Sequence, residues 1–319
     1  MAVNLSALTA YVDEQKIGLI RKAALGARTL DYVNIQTGVV GPTAVNLLNT
    51  NVVFGDGGSC GWNEAGASIL SQRQIVPALL KVNMSFCDKA MAKYFMNYEV
   101  NMAAGRANLP FEEAFVADVV EKTNAQLDNI IWNGVTVSNT KYNGYLDILT
   151  AASIAKQATG ATVYESVKNV YNAIPAEILD KAVIFVGIDT YRSLVGELVE
   201  KNLYHYDVKV DQALEMYLPG TTTRVVAVPG LNGKNAIVAG NPEHMFYGTD
   251  MTGDDETFKL WYSDDNQEFR LAIGFAAGVQ FAFPDQVAWA DAVTVASGGG
   301  SESETPSETP SEGGENAGE

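Results

Sequence analysis

The segment from Asn108 to Gly134 has the pattern of one long amphipathic helix, and a helix of this length constrains the rest of the fold. The residues of its broad apolar face recur at helical spacing: Phe115, Val116, Val119, Val120, Thr123, Leu127, Ile130 and Ile131. The opposite side is predicted to carry Asp118, Glu121, Lys122, Asp128 and Asn129. Asn108 and Pro110 suit a first turn, and Gly134 can end the helix in a left-handed conformation. The helix would be about 35–40 Å long, enough to support sheets laid across it, although an ordinary core helix has the same pattern.

The charge of the chain argues against broad electrostatic binding to nucleic acid. The 319 residues carry a net charge of −17, and removing the six glutamates of Ser297–Glu319 changes it only to −11. Cys60 and Cys87 are predicted to be free thiols, because two cysteines make no disulfide framework. The start, MAVNLSALTAY, lacks the pattern of a signal peptide, and no apolar run is long enough to span a membrane. We therefore expect a cytoplasmic protein of two or three compact units.

Residues 1–42 have the character of an arm. Helical character appears around Asp13–Ala27, and four basic side chains precede Asp31: Lys16, Arg21, Lys22 and Arg28. Such an arm could face nucleic acid or an acidic partner. A solvated helix face is the simpler alternative.

Residues 43–86 predict a long β-hairpin. Two strand-like runs flank the glycine-rich tip GDGGSCGWNEAG, and Pro77 suggests an edge strand or a bulge in the second run. A hairpin of this length is rarely stable alone. It needs a surface to lie on, which could belong to another subunit.

The rest of the chain alternates helices and strands. Asp88–Ala104 predicts a helix, and residues 142–149 predict a turn into a short strand. Thr162 and Glu165 fit a capping box at the start of a helix that continues to Ile174. Residues 181–187 predict a buried strand, after which Asp189 would cap a helix with an inward face of Leu194, Val195, Leu198 and Val199.

The carboxyl-terminal third predicts strands. Residues 202–219 are polar and are expected to form a loop or tip. RVVAVPG, NAIVAG, HMFYG, TFKLWYS and the run from Glu268 to Pro284 are predicted to form a second, mostly antiparallel region. Beyond Ala296 the composition is that of a disordered acidic tail.

Catalytic and ligand-binding motifs are weak. GGSCG places Ser59 in a formal nucleophile-elbow pattern, but a strand-like run follows where a helix is needed. His205 and His244 have no ligand at metal-binding spacing. GLNGKN (230–235) is too short for a phosphate loop and predicts a hairpin turn. We therefore predict no enzyme, no metal and no cofactor.

The order of elements resembles that of a known family. An arm, a long hairpin, a helix opened by LPFEEAF, and a helix–strand–helix unit containing IFVGIDTYRSLV follow one another. IVAGNPEHMFYG and EFRLAIGFAAGVQFAFPDQVAWA follow as strands. This order resembles the major capsid proteins of tailed bacteriophages, which have the Hong Kong 97 fold.

The resemblance implies an α+β fold of the Hong Kong 97 type. It has an N-terminal arm (1–42), an extended hairpin loop (43–87), a peripheral domain with a long spine helix (88–160 and 249–296), and an axial domain (161–248), followed by the tail (297–319). The function implied is a capsid protein that assembles as hexamers and pentamers into an icosahedral shell around a double-stranded DNA genome. The shell would form in the host bacterial cytoplasm and persist in the virion.

The resemblance also implies positions of contact. Val52, Phe54, Trp62 and Ile69 would contribute to the contact with the adjacent subunit. Tyr204, His205 and Tyr206 would lie at the axial tip. Lys16, Arg21, Lys22 and Arg28 would form an arm surface facing the lumen or a scaffolding protein.

The chain departs from the family in two respects. Residues 43–80 contain no lysine, so the cross-linking lysine of some family members is absent. The short arm predicts a separate scaffolding protein, beside a portal, with packaged DNA nearby but not bound in a sequence-specific manner. The alternatives are an encapsulin-type nanocompartment shell, a serine hydrolase using Ser59 with His205 or His244 as base, and a secreted adhesin or surface-layer subunit.

Overall fold

Two five-stranded sheets, a separate two-stranded hairpin and a long helix share one molecule. The computed structural model describes residues 15, 18–51, 53–54, 67–87, 111–134, 142–203, 214–250, 257–263, 265–266 and 268–292. The predicted helix over Asp88–Ala104 lies outside these residues. Among the helices in these ranges, none has the length and apolar character needed to cross a membrane.

The long predicted helix is present. Helix α1 spans residues 18–25 in the arm, and α2 spans Phe111–Asn133. Val116, Val119, Val120, Thr123, Leu127 and Ile131 are all buried along the predicted face. The sequence prediction missed Trp132, which is also fully buried.

The end of α2 differs from the expectation. Gly134 does not adopt a left-handed conformation. Its N–H donates to Ile130 O at 2.8 Å, and its carbonyl accepts from Gly144 N–H at 2.7 Å. A Cβ at Gly134 would lie 2.9 Å from Tyr142 O. Glycine is therefore required here because two backbone segments meet closely, and not because of a special φ angle.

The first sheet lies against α2. Its strands are β1 (Asn34–Thr37), β4 (Ala78–Cys87), β9 (Met245–Asp250), β10 (Thr257–Ser263) and β11 (Glu268–Phe281). β4 pairs with one edge of β11, while β9 and β10 pair successively along the other edge. β1 runs parallel to β9 on its outer side.

The second sheet is covered on both faces. Its order is β12 (Ala288–Asp291), β8 (Ala236–Gly240), β5 (Val183–Gly187), β7 (Arg224–Val228) and β6 (Glu215–Tyr217). Helices α4 (Val163–Asn172) and α5 (Ile188–Glu200) share one core with Ile184 and Val186. Phe185 points the other way, into the core shared with Trp132. Burial on both faces explains the continuous apolar run of β5.

The prediction that the strands of the carboxyl-terminal third form one mostly antiparallel region is wrong. The strands after residue 220 divide between the two sheets, and β5 and β7 are parallel. GLNGKN is not a hairpin turn, because β7 and β8 flank β5 on opposite sides and do not pair with each other. The segment instead crosses the end of β5, beginning with a 3₁₀ turn at Pro229–Leu231.

Of three other local predictions, the structure confirms one and contradicts two. Residues 142–149 do not form a strand, because Tyr145–Ala151 is helix α3, with Tyr145 and Leu149 buried one turn apart. Thr162 does cap α4, since its Oγ1 accepts from Glu165 N–H at 3.3 Å. Asp189 lies within the first turn of α5, whose N-cap is Gly187.

On α5 itself, Leu194 and Leu198 face inward as predicted, whereas Val195 and Val199 are exposed.

The predicted long hairpin is interrupted at Pro77. Strand β2 (Thr43–Asn51) pairs only with β3 (Ala67–Ile75), and β4 starts after Pro77 and joins β11 of the first sheet. Proline has no N–H to donate to a ladder, so the run divides into two strands at this point. The separate hairpin is therefore β2–β3, anchored at its base.

Candidate subunit interface

The hairpin β2–β3 has one anchored face. Val45, Leu47 and Ile75 are buried on this face, together with Val39 and Ala282. These residues lie near the base, where the hairpin meets the rest of the molecule. The base is therefore held by apolar packing, while the distal part extends beyond it.

The other face of the hairpin carries a pair of exposed leucines. Leu48 and Leu70 are directly opposite each other in the ladder, and they are 65% and 80% exposed. Directly opposite side chains have Cβ atoms about 4.5–5.5 Å apart, so the two leucines form one apolar surface. The side chains of Gln72 and Asn46, on the next rung of the same face, are joined by a 2.8 Å hydrogen bond.

Two more exposed apolar side chains follow β2 in the sequence. Val53 is half exposed, and Phe54 is 96% exposed. We call Leu48, Leu70, Val53 and Phe54 the hairpin patch. Exposed apolar side chains of this kind make the hairpin a candidate contact site, because burying them against a partner would remove them from water.

Phe54 is also one of the contact positions that the family resemblance implies. Phe54 is exposed as the interface hypothesis requires, whereas Val52 and Trp62 lie outside the described residues. Ile69, in β3, pairs through its backbone with Asn49 of β2, and its side chain is not among those that the structure describes. Leu48 and Leu70 were missed, although Leu47 and Leu48 are adjacent in a strand, so one of them has to face away from the core.

The structure separates the predicted arm cations. Arg21 and Lys22 are exposed on α1, Arg28 lies in the 3₁₀ turn Arg28–Asp31, and Lys16 is outside the described residues. Arg21 and Lys22 border a groove of about 640 Å³ between α1 and α2, with Leu25 and Val120 among its apolar lining. Arg28 instead lines a polar cavity of about 820 Å³ that also contains Tyr32, Lys181, Glu215, Arg224 and Glu243. Arg21 and Lys22 therefore border a different surface from Arg28.

Asp128 joins three parts of the chain. The prediction that it lies on the polar side of α2 is wrong. Its side chain is only 1% exposed. Oδ1 accepts from Thr29 N–H at 2.9 Å, and Oδ2 accepts from Gly230 N–H at 2.6 Å. Trp132 Nε1–H donates to Thr29 Oγ1 at 2.7 Å, and Asn133 Nδ2–H donates to Gly230 O at 2.5 Å. The arm, the long helix and the crossing segment of the second sheet are thus held together.

Burial controls the protonation of this carboxyl group. Desolvation raises the pKa of Asp128, and this effect outweighs the opposing hydrogen bonds from Thr29 and Gly230 and the positive charge of Arg28. A carboxylate at this position therefore costs more in the folded protein than in water. Its two backbone donors are what make the burial tolerable.

Most of the remaining predicted site residues belong to parts of the chain that the structure does not describe. Tyr204, His205, Tyr206 and Ser59 lie outside the described residues. His244 packs edge-on against Phe283, with ring centroids 5.0 Å apart. Within the described ranges, no three His, Cys, Asp or Glu side chains are grouped so that they could hold a metal ion.

Comparisons with known proteins give the fold a context. No family model matches the sequence, and no curated protein matches it. A chain of the satellite phage P4 procapsid with its size determination (Sid) protein superposes with a TM-score of 0.58 and 11% identity, over 88% of this chain and 94% of that one. The fold is that of the tailed-phage major capsid proteins.

Two further solved structures have this fold. The chain from Microbacterium phage Oxtober96 has a TM-score of 0.53 and 14% identity, over 83% of this chain and 91% of that one. The virus-like particle from Pyrococcus furiosus has a TM-score of 0.50 and 9% identity, over 87% and 98%. This capsid-type fold combines helices and sheets, as the sequence predicted.

Proposed function

We propose that this protein is a major capsid protein that assembles into the icosahedral shell around the double-stranded DNA genome of a tailed phage. The observation that carries the proposal is the hairpin patch, on a hairpin whose apolar packing, within the described residues, lies at its base. Free apolar surface of this kind gains stability when a neighbouring subunit covers it. The fold supports the same conclusion, because similar chains come from phage structures.

In this proposal the segments have distinct roles. Residues 43–87 include the extended loop, residues 1–42 are the arm, and Tyr204–Tyr206 lie at the tip of the axial domain (161–248). The peripheral domain contains residues 88–160 and 249–296. Strand pairing refines these bounds, since β9 belongs to the first sheet and β12 to the second.

Contacts between subunits follow from the same proposal. The hairpin patch, with Val52, Trp62 and Ile69, lies on the adjacent subunit within hexamers and pentamers. Arg21 and Lys22 face the lumen or a separate scaffolding protein, and a portal closes one vertex. Packaged DNA lies near the shell without sequence-specific binding, since the chain carries a net charge of −17. Assembly takes place in the host bacterial cytoplasm, and the product is the virion.

The alternatives have less support. A cellular nanocompartment shell of the encapsulin type is not favoured, because both phage chains superpose better than the particle from the cellular organism. A hydrolase role for Ser59 has no support from the described residues, and an esterase assay of Ser59→Ala would detect it. The similar structures are capsid proteins, whose role is structural.

The double variant Leu48→Asp/Leu70→Asp tests the proposal. Two carboxylates on the patch would have to be desolvated in a subunit contact, so we expect assembly to be lost. Both side chains are exposed in the single subunit, but the two new carboxylates would be directly opposite each other, so its free energy of unfolding should fall by about 1 kcal/mol. Denaturant unfolding of the unassembled subunit separates this cost from the loss of assembly. Negative-stain microscopy and size-exclusion light scattering, with the candidate scaffolding protein co-expressed, measure the assembly.

Val199→Asp is the matched control. Val199 is also an exposed apolar residue, but it lies on α5, away from the hairpin. We expect shells, tubes or rings for the wild type and for this control. Normal shells from the leucine double variant would contradict the contact. DNA inside the shells would distinguish a phage head from a compartment that encloses a cargo enzyme.

A further inference from the structure

The first sheet has an open trough on the face that points away from α2. On the inner face of β10 and β11, Phe258, Leu271 and Ile273 are buried in the main core. The alternate residues of β11 form the outer face, and Ala272 and Gly274 are its central positions. Because the side chains at these two positions are small, the longer side chains of the two flanking strands project beyond them.

The walls of the trough are amphipathic. β10 contributes Lys259 and Trp261, which are opposite Ala272 and Arg270 in the ladder. Both side chains are exposed, Trp261 to 42%. β4 contributes Leu79 and Lys81 on the other side, and these are exposed as well. Each wall therefore offers one apolar side chain and one ammonium group.

The trough is basic within an acidic protein. Arg270 is paired with Glu268 at 3.0 Å, but neither Lys81 nor Lys259 is in an ion pair with a described residue. The two lysines are on strands that flank β11 and are offset by two rungs, since Lys259 is opposite Ala272 and Lys81 is opposite Gly274. This register puts their Cα atoms about 12 Å apart. An anionic ligand with charges at that interval would meet both.

The carboxyl-terminal tail of the same chain carries glutamates that recur at about this interval. Residues 303–312 read SETPSETPSE, so Glu304, Glu308 and Glu312 recur every four residues, with Pro306 and Pro310 between them. Proline-rich extended chain rises about 3.1 Å per residue, so successive glutamates would be about 12 Å apart. Residues 297–319 contain no lysine or arginine that could neutralise them.

We propose that the trough binds the Ser-Glu-Thr-Pro repeats of the carboxyl-terminal tail, from the same subunit or from another copy. Lys81 and Lys259 pair with successive glutamates. A proline ring packs on the face of Trp261, as proline does on aromatic side chains in grooves that bind proline-rich segments. Residues 292–303 connect β12 to Glu304, and a connection of this length spans up to about 40 Å when extended.

Nucleic acid is a less favourable ligand than the tail for Lys81 and Lys259. The tail is covalently attached, which gives it a high effective concentration at the trough, whereas the net charge of −17 repels DNA. The repeat also supplies apolar prolines for Trp261, which a phosphate backbone does not. The inference does not depend on the proposed shell role, because the trough belongs to a single subunit.

Zero-length carbodiimide cross-linking of the full chain at low salt, read by mass spectrometry, tests the proposal. The 2.8 Å pair of Lys156 with Asp291 provides an internal positive control. We expect products that join Glu304, Glu308 or Glu312 to Lys81 and Lys259, several-fold above products with the exposed Lys234. These tail products should decrease several-fold in Trp261→Ala, which keeps both lysines but removes the surface for proline.

Three outcomes would overturn the proposal. Tail products could be spread evenly over Lys234 and the trough lysines, or could be missing although the Lys156–Asp291 product forms. They could also be unchanged in Trp261→Ala. Protection of Lys81 and Lys259 from acetylation by a short DNA duplex, without such protection by the tail, would assign the trough to nucleic acid instead.

Discussion

Asp128 is the residue on which three distant segments converge. Its two carboxylate oxygens accept hydrogen bonds from residues 99 and 102 positions away in the chain. The aromatic ring of Trp132 completes this junction by donating to Thr29. A side chain that is both buried and doubly hydrogen-bonded fixes the position of the arm relative to the second sheet.

Asp128→Asn should lower the free energy of unfolding at pH 7 by about 1–3 kcal/mol, because the new amide group would face a backbone N–H donor where the carboxylate had an acceptor. Denaturant unfolding followed by circular dichroism measures this change. Asp118→Asn is the control, since Asp118 is an exposed aspartate on the same helix, paired with Lys122. A cost for Asp118→Asn equal to that for Asp128→Asn would contradict the role of the junction.

The difference in stability between the wild type and Asp128→Asn should change with pH in a defined direction. Because burial raises the pKa of Asp128, the folded protein binds more protons than the unfolded chain between the unfolded pKa and the folded one. The part of the stability that comes from proton uptake by Asp128 is therefore present in full below about pH 3.9 and is lost as pH rises through the folded pKa, whereas the hydrogen bonds from Thr29 and Gly230 remain. We expect the advantage of wild type over Asp128→Asn to grow as the pH falls through this window.

The sequence could not identify this role. On a helical wheel Asp128 belongs with its polar neighbours, and its position next to Leu127 gives no sign of burial. The partners are backbone N–H groups, which have no sequence signature of their own. The proposal of Phe54 as a contact residue comes from the family resemblance, and the structure adds that its side chain is 96% exposed.

At the level of elements, the crossing segment after β7 docks directly on α2. A Cβ at Gly230 would overlap Asp128 O and would lie 2.6 Å from Trp132 Cδ1. A backbone oxygen cannot move aside as a flexible side chain can. The close approach of this segment to the helix therefore depends on glycine at position 230.

Gly230→Ala and Gly196→Ala should have opposite effects on stability. The first should cost about 1–3 kcal/mol, because the helix and the crossing segment have to move apart. The second lies in α5 with nothing within 4 Å of the added methyl group. It should stabilise the protein by about 0.5–1 kcal/mol, because glycine inside a helix is entropically unfavourable. Thermal unfolding of both variants measures the two signs, and equal effects would contradict the docking.

Elements with a strong hydrophobic pattern could be predicted from the sequence, whereas the pairing of strands that are far apart in the chain could not. The apolar face of α2 follows the helical period over its whole length, and β5 is a continuous apolar run, so both could be located from the sequence. The run from Ala67 to Cys87 looks like one strand, but its halves pair with segments far apart in the chain. Only the tertiary structure decides that Pro77 separates two sheets.

Crossing segments present the same difficulty. GLNGKN has the composition of a hairpin turn, and Gly233 does adopt a positive φ of 71°. The composition fixes the turn but not the strands that it connects. Whether β7 and β8 become neighbours depends on β5, which precedes both in the chain and inserts between them.

For the whole molecule, charge and apolar contact act against each other during assembly. Every subunit carries a net charge of −17, so subunits repel one another at long range. The hairpin patch attracts at short range, and burial of its apolar surface is not screened by salt. Shell formation under the proposed function is therefore a balance between a salt-dependent repulsion and an attraction that is largely independent of salt.

Raising the salt concentration should promote assembly. The screening length decreases from about 10 Å at 0.1 M to about 3 Å at 1 M, which weakens repulsion between subunits and leaves the apolar contacts intact. We expect the subunit concentration needed for shells, measured by light scattering, to fall over this range. A chain lacking residues 297–319 has a charge of −11, so its salt dependence should be shallower. Shells that dissociate as salt rises would mean that ion pairs, and not the hairpin patch, hold the subunits together.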